Sequence, residues 1–149
     1  MKDKYIIKAF ELNHDDHSVG FYMSSIMGDI YTYDIRCKSP NGGEYLPNGT
    51  IHSIEHMLAA ALRNGSVREK VIYFGPMGCR TGFYLLLRDT GTEEARKEVS
   101  RAIEECLSME EVPGAKRKEC GHFEEHDFEG ARIELINMQR IISFPTDVK

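Results

Sequence analysis

The chain has 149 residues, a formal net charge of −5 at neutral pH, and 41% hydrophobic and 29% charged residues. This length and composition predict a single globular domain over 1–149 whose core needs no disulfides. The acidic balance argues against nucleic acid as a partner, and no apolar run approaches the ~18 residues of a membrane-spanning helix.

In chain order, the pattern predicts strands at 5–12, 19–27 and 30–37, a helix at 50–65, strands at 70–75 and 83–89, and helices at 91–108 and 127–142. A turn at Gly28-Asp29 makes the second and third strands a hairpin, and turn-forming residues predict loops over 38–50 and 110–125. This order indicates an α+β fold, an antiparallel-rich sheet with helices packed on one face.

Residue types at the helix ends predict their caps. Thr50 and Thr92 can each begin a helix by accepting a backbone N–H, and Gly65 can end the first helix in the left-handed conformation. Cys106 shares one face of the 91–108 helix with apolar residues, so we expect it in the core.

The N-terminal stretch "MKDKYIIKAFELNHDD" lacks the apolar segment and cleavage site of a secretory signal, so we expect a cytoplasmic protein. Its four cysteines are then expected to be reduced, and each needs an explanation as core residue, ligand or nucleophile. They are Cys37, Cys79, Cys106 and Cys120.

The stretch "TIHSIEHMLAAALRNG" places His52, Glu55 and His56 on a predicted helix. Histidines four residues apart on a helix point the same way and can meet one cation. Glu55 lies on a neighbouring line of the helix, within reach of something bound to that cation. H-x-x-E-H is a metallopeptidase pattern, although a motif this short also matches surface histidines by chance.

A catalytic metal needs a third protein ligand and an open position. Cys120, in the glycine-containing loop "KECGH", is the favoured third ligand because its loop neighbours make a core role hard to argue. His122, His126 and Glu119 are the alternatives. Cys79 lies between glycines in "PMGCRTG", which permits close backbone approach, and the adjacent Arg80 favours the thiolate. We interpret Cys79 as a presented thiol; the alternative is a buried cysteine at a strand end.

Several segments together resemble the S-ribosylhomocysteine lyases, the LuxS family. They are "AFELNH", "YDIRCKSPN", "IHSIEHMLAAALRN", "GPMGCRTGFYL" and "KECGHFEEH". The resemblance covers nearly the whole chain in order and spacing, and "MGCRTGF" together with H-x-x-E-H is specific.

The resemblance implies cleavage of S-ribosylhomocysteine to homocysteine and 4,5-dihydroxy-2,3-pentanedione, the precursor of autoinducer-2. It implies that His52, His56 and Cys120 hold a divalent metal, ferrous iron in the family with zinc or cobalt as substitutes. Cys79 and Glu55 are then general acid and base. The family's homodimers have active sites at the subunit interface, where Arg36 and His14, from the subunit opposite the metal helix, would line the substrate pocket.

Three positions depart from the family pattern where the family usually carries polar residues that touch substrate. Ala9 stands in place of serine, and Tyr73 and Gly75 in place of an acidic and a small polar residue. A small zinc hydrolase in which Glu55 activates water is one alternative function, although it leaves Cys79 without a role. A divergent, non-catalytic relative that binds metal or a sugar thioether is the other.

Overall fold

The computed structural model describes residues 5–143. Its four strands form one antiparallel sheet in the order β1-β2-β4-β3. The elements are α1 (Lys8–Glu11), β1 (Gly20–Met27), β2 (Ile30–Arg36), α2 (Asn48–Leu62), β3 (Val71–Pro76), β4 (Gly82–Arg88), α3 (Thr92–Leu107) and α4 (Phe128–Ile142). The predicted α+β fold is confirmed.

Side-chain alternation in the central strand β2 separates the two faces of the sheet. Tyr33 and Ile35 point towards the helices and are fully buried. Asp34 and Arg36 therefore point to the opposite face. Gly82, which pairs with Arg36, must be glycine because a Cβ there would lie 2.3 Å from the carbonyl oxygen of Ile35. The close approach of β4 to β2 thus brings the residues that precede Gly82 against Arg36.

The three longer helices cover one face of the sheet and share a core with it. Cys106 lies fully buried in that core, as predicted, and burial raises the pKa of its thiol to about 12. Cys37 is buried too, and burial raises its pKa as well. No helix within residues 5–143 has both the length and the apolar character needed to cross a membrane.

Hydrogen bonds from an ion pair on α3 fasten α2 and the loop after it to α3. Glu98 accepts hydrogen bonds from the Ser66 hydroxyl and from Arg101, whose guanidinium also donates to the carbonyl of Ala61. Burial alone would raise the pKa of Glu98, but these donors outweigh it and hold the pKa below its usual value.

The structure corrects four local predictions. Residues 5–12 form no strand but contain the one-turn helix α1, because apolar composition without a strand to pair with does not specify extended backbone. Thr50 lies buried inside α2, which begins earlier, after Pro47. Thr92 is the first residue of α3 and makes no capping bond. Helix α2 ends at Leu62, so Gly65 does not terminate it.

Candidate metal centre and reactive thiol

Four side chains from α2 and from the loop before α4 converge on one point. The ligand atoms of His52, His56, Cys120 and His126 all lie within 4.8 Å of one another, and each side chain is half-buried. His52 and His56 come from successive turns of α2, which gives their rings a shared direction. Burial, helped by the two neighbouring imidazoles, holds the pKa of His126 below its usual value.

Backbone carbonyls orient the two α2 histidines. Nδ1 of His56 lies 2.9 Å from the carbonyl oxygen of Pro113, and Nδ1 of His52 lies 3.1 Å from that of Glu125. The Glu125 carboxylate lies 3.4 Å from the same His52 nitrogen. Because carbonyl and carboxylate oxygens only accept, Nδ1 carries the hydrogen in both rings and Nε2 keeps a free lone pair. Such outer partners are typical of metal-binding histidines.

The donor set fits a divalent transition metal. The Cys120 sulfur lies 3.3 Å from His52 Nε2 and 3.6 Å from His126 Nε2. A nitrogen and a sulfur bound tetrahedrally to one ion, at about 2.0 and 2.3 Å, stand about 3.5 Å apart. Imidazole and thiolate ligands suit zinc, iron and cobalt rather than calcium or magnesium. Of the three alternative ligands that the sequence left open, the cluster includes only His126.

The other two alternatives have different partners. His122 is mostly exposed and faces Glu125, with 3.5 Å between its Nδ1 and a carboxylate oxygen. Glu119 is exposed and accepts a hydrogen bond from the backbone N–H of Lys116 at 3.2 Å. Neither side chain belongs to the converging group.

Glu55 lies beside Nε2 of His56, the ring nitrogen that keeps its lone pair. One carboxylate oxygen is 3.9 Å from His56 Nε2, and over a third of the Glu55 side chain is exposed. The carboxylate is therefore next to the converging donors without being one of them, a position suited to a proton carrier.

Cys79 is exposed in the turn between β3 and β4, as the sequence predicted. Its sulfur lies 3.0 Å from the Thr81 hydroxyl and 4.0 Å from an Arg36 guanidinium nitrogen, which also donates to Thr81 at 2.9 Å. Asp34 accepts two bonds from Arg36, at 3.1 and 2.7 Å. The exposed thiol is therefore at the solvent end of a hydrogen-bond network whose other members, Thr81, Arg36 and Asp34, are buried.

The positive charge beside Cys79 comes from Arg36 and not from Arg80. The Arg80 guanidinium donates to the carbonyl of Leu46 and lies over the Tyr45 ring. The sequence argument identified neither Asp34 nor Thr81. Alternation with the core residues Tyr33 and Ile35 along β2 could have placed Asp34 on the Arg36 side of the sheet. No such pattern places Thr81, which lies in the turn before β4. Asp34 also meets His17, with 3.2 Å between Oδ2 and Nε2.

One cavity lies over the outer face of the sheet, and none of the four converging donors lines it. Its volume is about 470 Å³, and Ala9, Tyr22, Asp34 and Tyr84 are among its lining residues. His14 follows Ala9 by five residues in the sequence and is half-buried, and its Nδ1 lies 2.9 Å from the carbonyl oxygen of Leu12. A second cavity, of about 440 Å³, has His126 in its lining, so donor chemistry rather than cavity volume locates the candidate metal centre.

Tyr73 and Gly75, two of the three unusual positions, occupy one space on the outer face of β3. A Cβ at Gly75 would lie 2.0 Å from the Tyr73 hydroxyl oxygen and 2.4 Å from the adjacent ring carbon. The ring thus fills the room that a side chain at 75 would take, which makes the two departures interdependent.

Comparison with known proteins gives one consistent result. The sequence profile of the family described as S-Ribosylhomocysteinase (LuxS) matches residues 7–143. An S-ribosylhomocysteine lyase of Borreliella burgdorferi strain ZS7 is 40% identical over 144 residues, covering 92% of each chain. That of Clostridium acetobutylicum is 40% identical over 124 residues, covering 78% of each. That of Thermus thermophilus is 43% identical over 107 residues, covering 70% of this chain and 67% of its own.

Proposed function

Because the chain belongs to the S-ribosylhomocysteinase (LuxS) family, we propose that it is the carbon–sulfur lyase that cleaves S-ribosylhomocysteine. The products are homocysteine and 4,5-dihydroxy-2,3-pentanedione. One observation of the structure carries the proposal: two histidines, their Nε2 lone pairs freed by backbone carbonyls, meet a cysteine sulfur beside a half-exposed carboxylate.

The proposed ligands are His52, His56 and Cys120, and ferrous iron is the proposed metal, with zinc or cobalt as substitutes. Two neutral imidazoles and a thiolate suit all three ions. When bound, the metal supplies Lewis-acid polarisation of the sugar carbonyl. Cleavage of the carbon–sulfur bond also requires groups that move protons, and side chains of the protein provide them.

The chemistry explains why two proton carriers are needed. A carbon–sulfur bond beside a plain alcohol carbon does not eliminate, but it does once a carbonyl stands two carbons away, since the intervening proton becomes acidic. The sugar carbonyl must therefore move from C1 to C2 to C3 before the C4 proton leaves and homocysteine departs from C5. Each shift removes a proton from one carbon and returns one to its neighbour.

We assign these proton transfers to Glu55 and Cys79. The Glu55 carboxylate lies 3.9 Å from the metal-facing nitrogen of His56, and its exposure leaves it free to exchange protons. The Cys79 thiol is exposed, with the Thr81 hydroxyl and the Arg36 guanidinium beside it. A fixed positive charge next to a sulfur stabilises the thiolate that forms when the thiol gives up its proton.

We further propose a homodimer with active sites at the subunit interface. Exposed apolar side chains concentrate in the N-terminal segment and on the edge strand β1; they include Ile6, Ile7, Phe10, Met23, Ile26 and Met27. In this dimer Arg36 and His14 line the substrate pocket formed with the opposite subunit. Arg36 and Cys79 then serve the same pocket, because 4.0 Å separates them within one chain. A fully active monomer in equilibrium sedimentation would contradict the dimer.

A cytoplasmic location follows from the same roles, since a thiolate ligand and a thiol proton carrier both require reduced cysteines. All four cysteines are free thiols in the structure. The dicarbonyl product is the precursor of autoinducer-2. The same cleavage returns homocysteine to the methyl cycle. We propose both uses for the reaction.

Metal content and thiol release, measured on the same variants, test the proposal. Cys120→Ala removes one of three ligands, so purified protein should lose its metal and its activity together. Cys79→Ala and Glu55→Gln remove no ligand, so each should keep close to one metal per chain while homocysteine release falls about 10²- to 10⁴-fold. Elemental analysis of anaerobically purified protein gives the first quantity and a thiol reagent the second. Metal lost from Cys79→Ala but kept by Cys120→Ala would reverse the assignment.

A further inference from the structure

We propose that His126 is not a fourth ligand of the metal but a hydrogen-bond donor to the Cys120 thiolate, held in that role by the Ser53 hydroxyl. This inference rests on the proposed ligand set of His52, His56 and Cys120. It assigns a task to the one residue of the converging group that the proposed reaction leaves unused.

Distance alone leaves the role of His126 open. Its Nε2 lies 3.6 Å from the Cys120 sulfur, close to the separation of about 3.5 Å expected for two ligands of one tetrahedral ion. The same distance also suits a hydrogen bond from an N–H to sulfur. Which of the two occurs depends on whether Nε2 carries a hydrogen or a lone pair, and the opposite nitrogen of the ring determines that.

Ser53 answers this question through its own partners. Its oxygen accepts the backbone N–H of Asp127 at 2.9 Å, and it lies 3.1 Å from His126 Nδ1. Ser53 is fully buried, and within residues 5–143 these are the two bonds that the structure gives its hydroxyl. The N–H of Asp127 uses a lone pair, so the hydroxyl hydrogen remains to be placed. Only donation to His126 Nδ1 satisfies it in this buried site.

The ring of His126 is therefore the opposite tautomer of its two neighbours. His52 and His56 donate from Nδ1 to carbonyl oxygens and keep the Nε2 lone pair that a metal needs. His126 accepts at Nδ1 and so carries its hydrogen on Nε2, the atom that faces the Cys120 sulfur. A nitrogen that bears a hydrogen cannot bind a metal.

Two consequences follow for the centre. With three protein ligands instead of four, one coordination position stays open, which is what separates a catalytic site from a structural one. The N–H···S bond also withdraws charge from the thiolate. The sulfur then donates less to the metal, which keeps the metal the stronger Lewis acid and the sulfur the weaker nucleophile.

Cobalt substitution distinguishes donor from ligand, with a readout that does not depend on turnover. The thiolate-to-cobalt charge-transfer band reports the charge on the sulfur, and a metal-competition titration reports affinity. His126→Gln keeps an N–H donor close to the Nε2 position but lacks an imidazole ligand. His126→Leu keeps bulk and lacks both functions. The pair therefore separates the two roles within one side chain.

We expect His126→Gln to match the unmodified protein in band position and cobalt affinity. His126→Leu should shift the band to lower energy, because the sulfur regains the charge that the N–H withdrew, while still binding one ion per chain. Equal and severe loss of cobalt in both variants would make His126 a ligand and overturn the inference. An unchanged band in His126→Leu would overturn it as well.

Ser53→Ala tests the other half of the relay. It should move the band in the same direction as His126→Leu, because Nδ1 no longer has a donor to fix the tautomer; an unchanged band would refute the role of Ser53. The unmodified protein separates this inference from the proposed function. If it shows no thiolate-to-cobalt band, the proposed ligand set fails; if it shows the band and the His126 variants do not behave as stated, only the inference fails.

Discussion

Asp34→Asn is expected to be among the most destabilising single changes outside the hydrophobic core. Asp34 and Arg36 form a two-bond ion pair whose side chains are 3% and 1% exposed. Removing one charge leaves a guanidinium buried without its counter-ion, which costs about 3–5 kcal/mol. At a urea dependence of about 2 kcal/mol per molar, the unfolding midpoint falls by about 1.5–2.5 M. The loss should extend to function, because the Asp34 pair holds Arg36 beside Cys79.

The protein contains its own matched control. Asp29 and Arg88 also form a two-bond ion pair, at 3.2 and 3.1 Å, but both side chains are more than half exposed. Asp29→Asn should therefore cost no more than about 1 kcal/mol. Both variants are unfolded in urea at one fixed protein concentration, since a dimer's stability depends on it. Similar losses in the two variants would refute the argument that burial makes the Asp34 pair structurally essential.

Three further predictions concern other sites. The folded pKa of Glu98 lies below its usual value, so the contribution of Glu98 to stability is present above about pH 4.5 and is lost as the pH falls through that folded pKa. Urea titrations at pH 3–7 measure the difference in unfolding free energy between the parent and Glu98→Gln. This difference should be constant above pH 4.5 and shrink below it. In the native protein, mass spectrometry after brief alkylation should find Cys79 modified and Cys106 untouched, and equal labelling would mean that Cys106 is not in a closed core. Tyr73→Asp should raise kcat/KM on S-ribosylhomocysteine. Gly75→Ser should be tolerated fully only together with Tyr73→Asp, because the Tyr73 ring occupies the space that a side chain at 75 needs. A higher kcat/KM from Gly75→Ser alone would contradict this.

The parts of the site that follow from local periodicity could be predicted from the sequence. His52 and His56 are four residues apart on a helix, so their shared direction is fixed wherever the helix lies. The hairpin at Gly28-Asp29 is equally local, since two turn residues separate two apolar runs. Cys120 could be named as a candidate because the composition of its loop made a core role hard to argue.

What long-range packing decides could not be predicted in the same way. Arg36 and Cys79 are 43 residues apart, and only the pairing of β2 with β4 shows that Arg36, and not the adjacent Arg80, supplies the charge at the thiol. The choice among His122, His126 and Glu119 likewise depends on how one loop folds against α2. The prediction of a strand at 5–12 was wrong for a related reason. Apolar residues indicate that a segment packs against a surface, but they do not determine its backbone conformation.

Product analysis tests the central claim most directly. Metal-replete protein is incubated anaerobically with S-ribosylhomocysteine, and both halves of the substrate are quantified, homocysteine by a thiol reagent and the dicarbonyl by trapping with an aromatic diamine. A lyase that moves the carbonyl and then eliminates should release homocysteine and 4,5-dihydroxy-2,3-pentanedione in equal amounts. Homocysteine accompanied by intact ribose, which indicates hydrolysis, or the absence of any released thiol, would contradict the account.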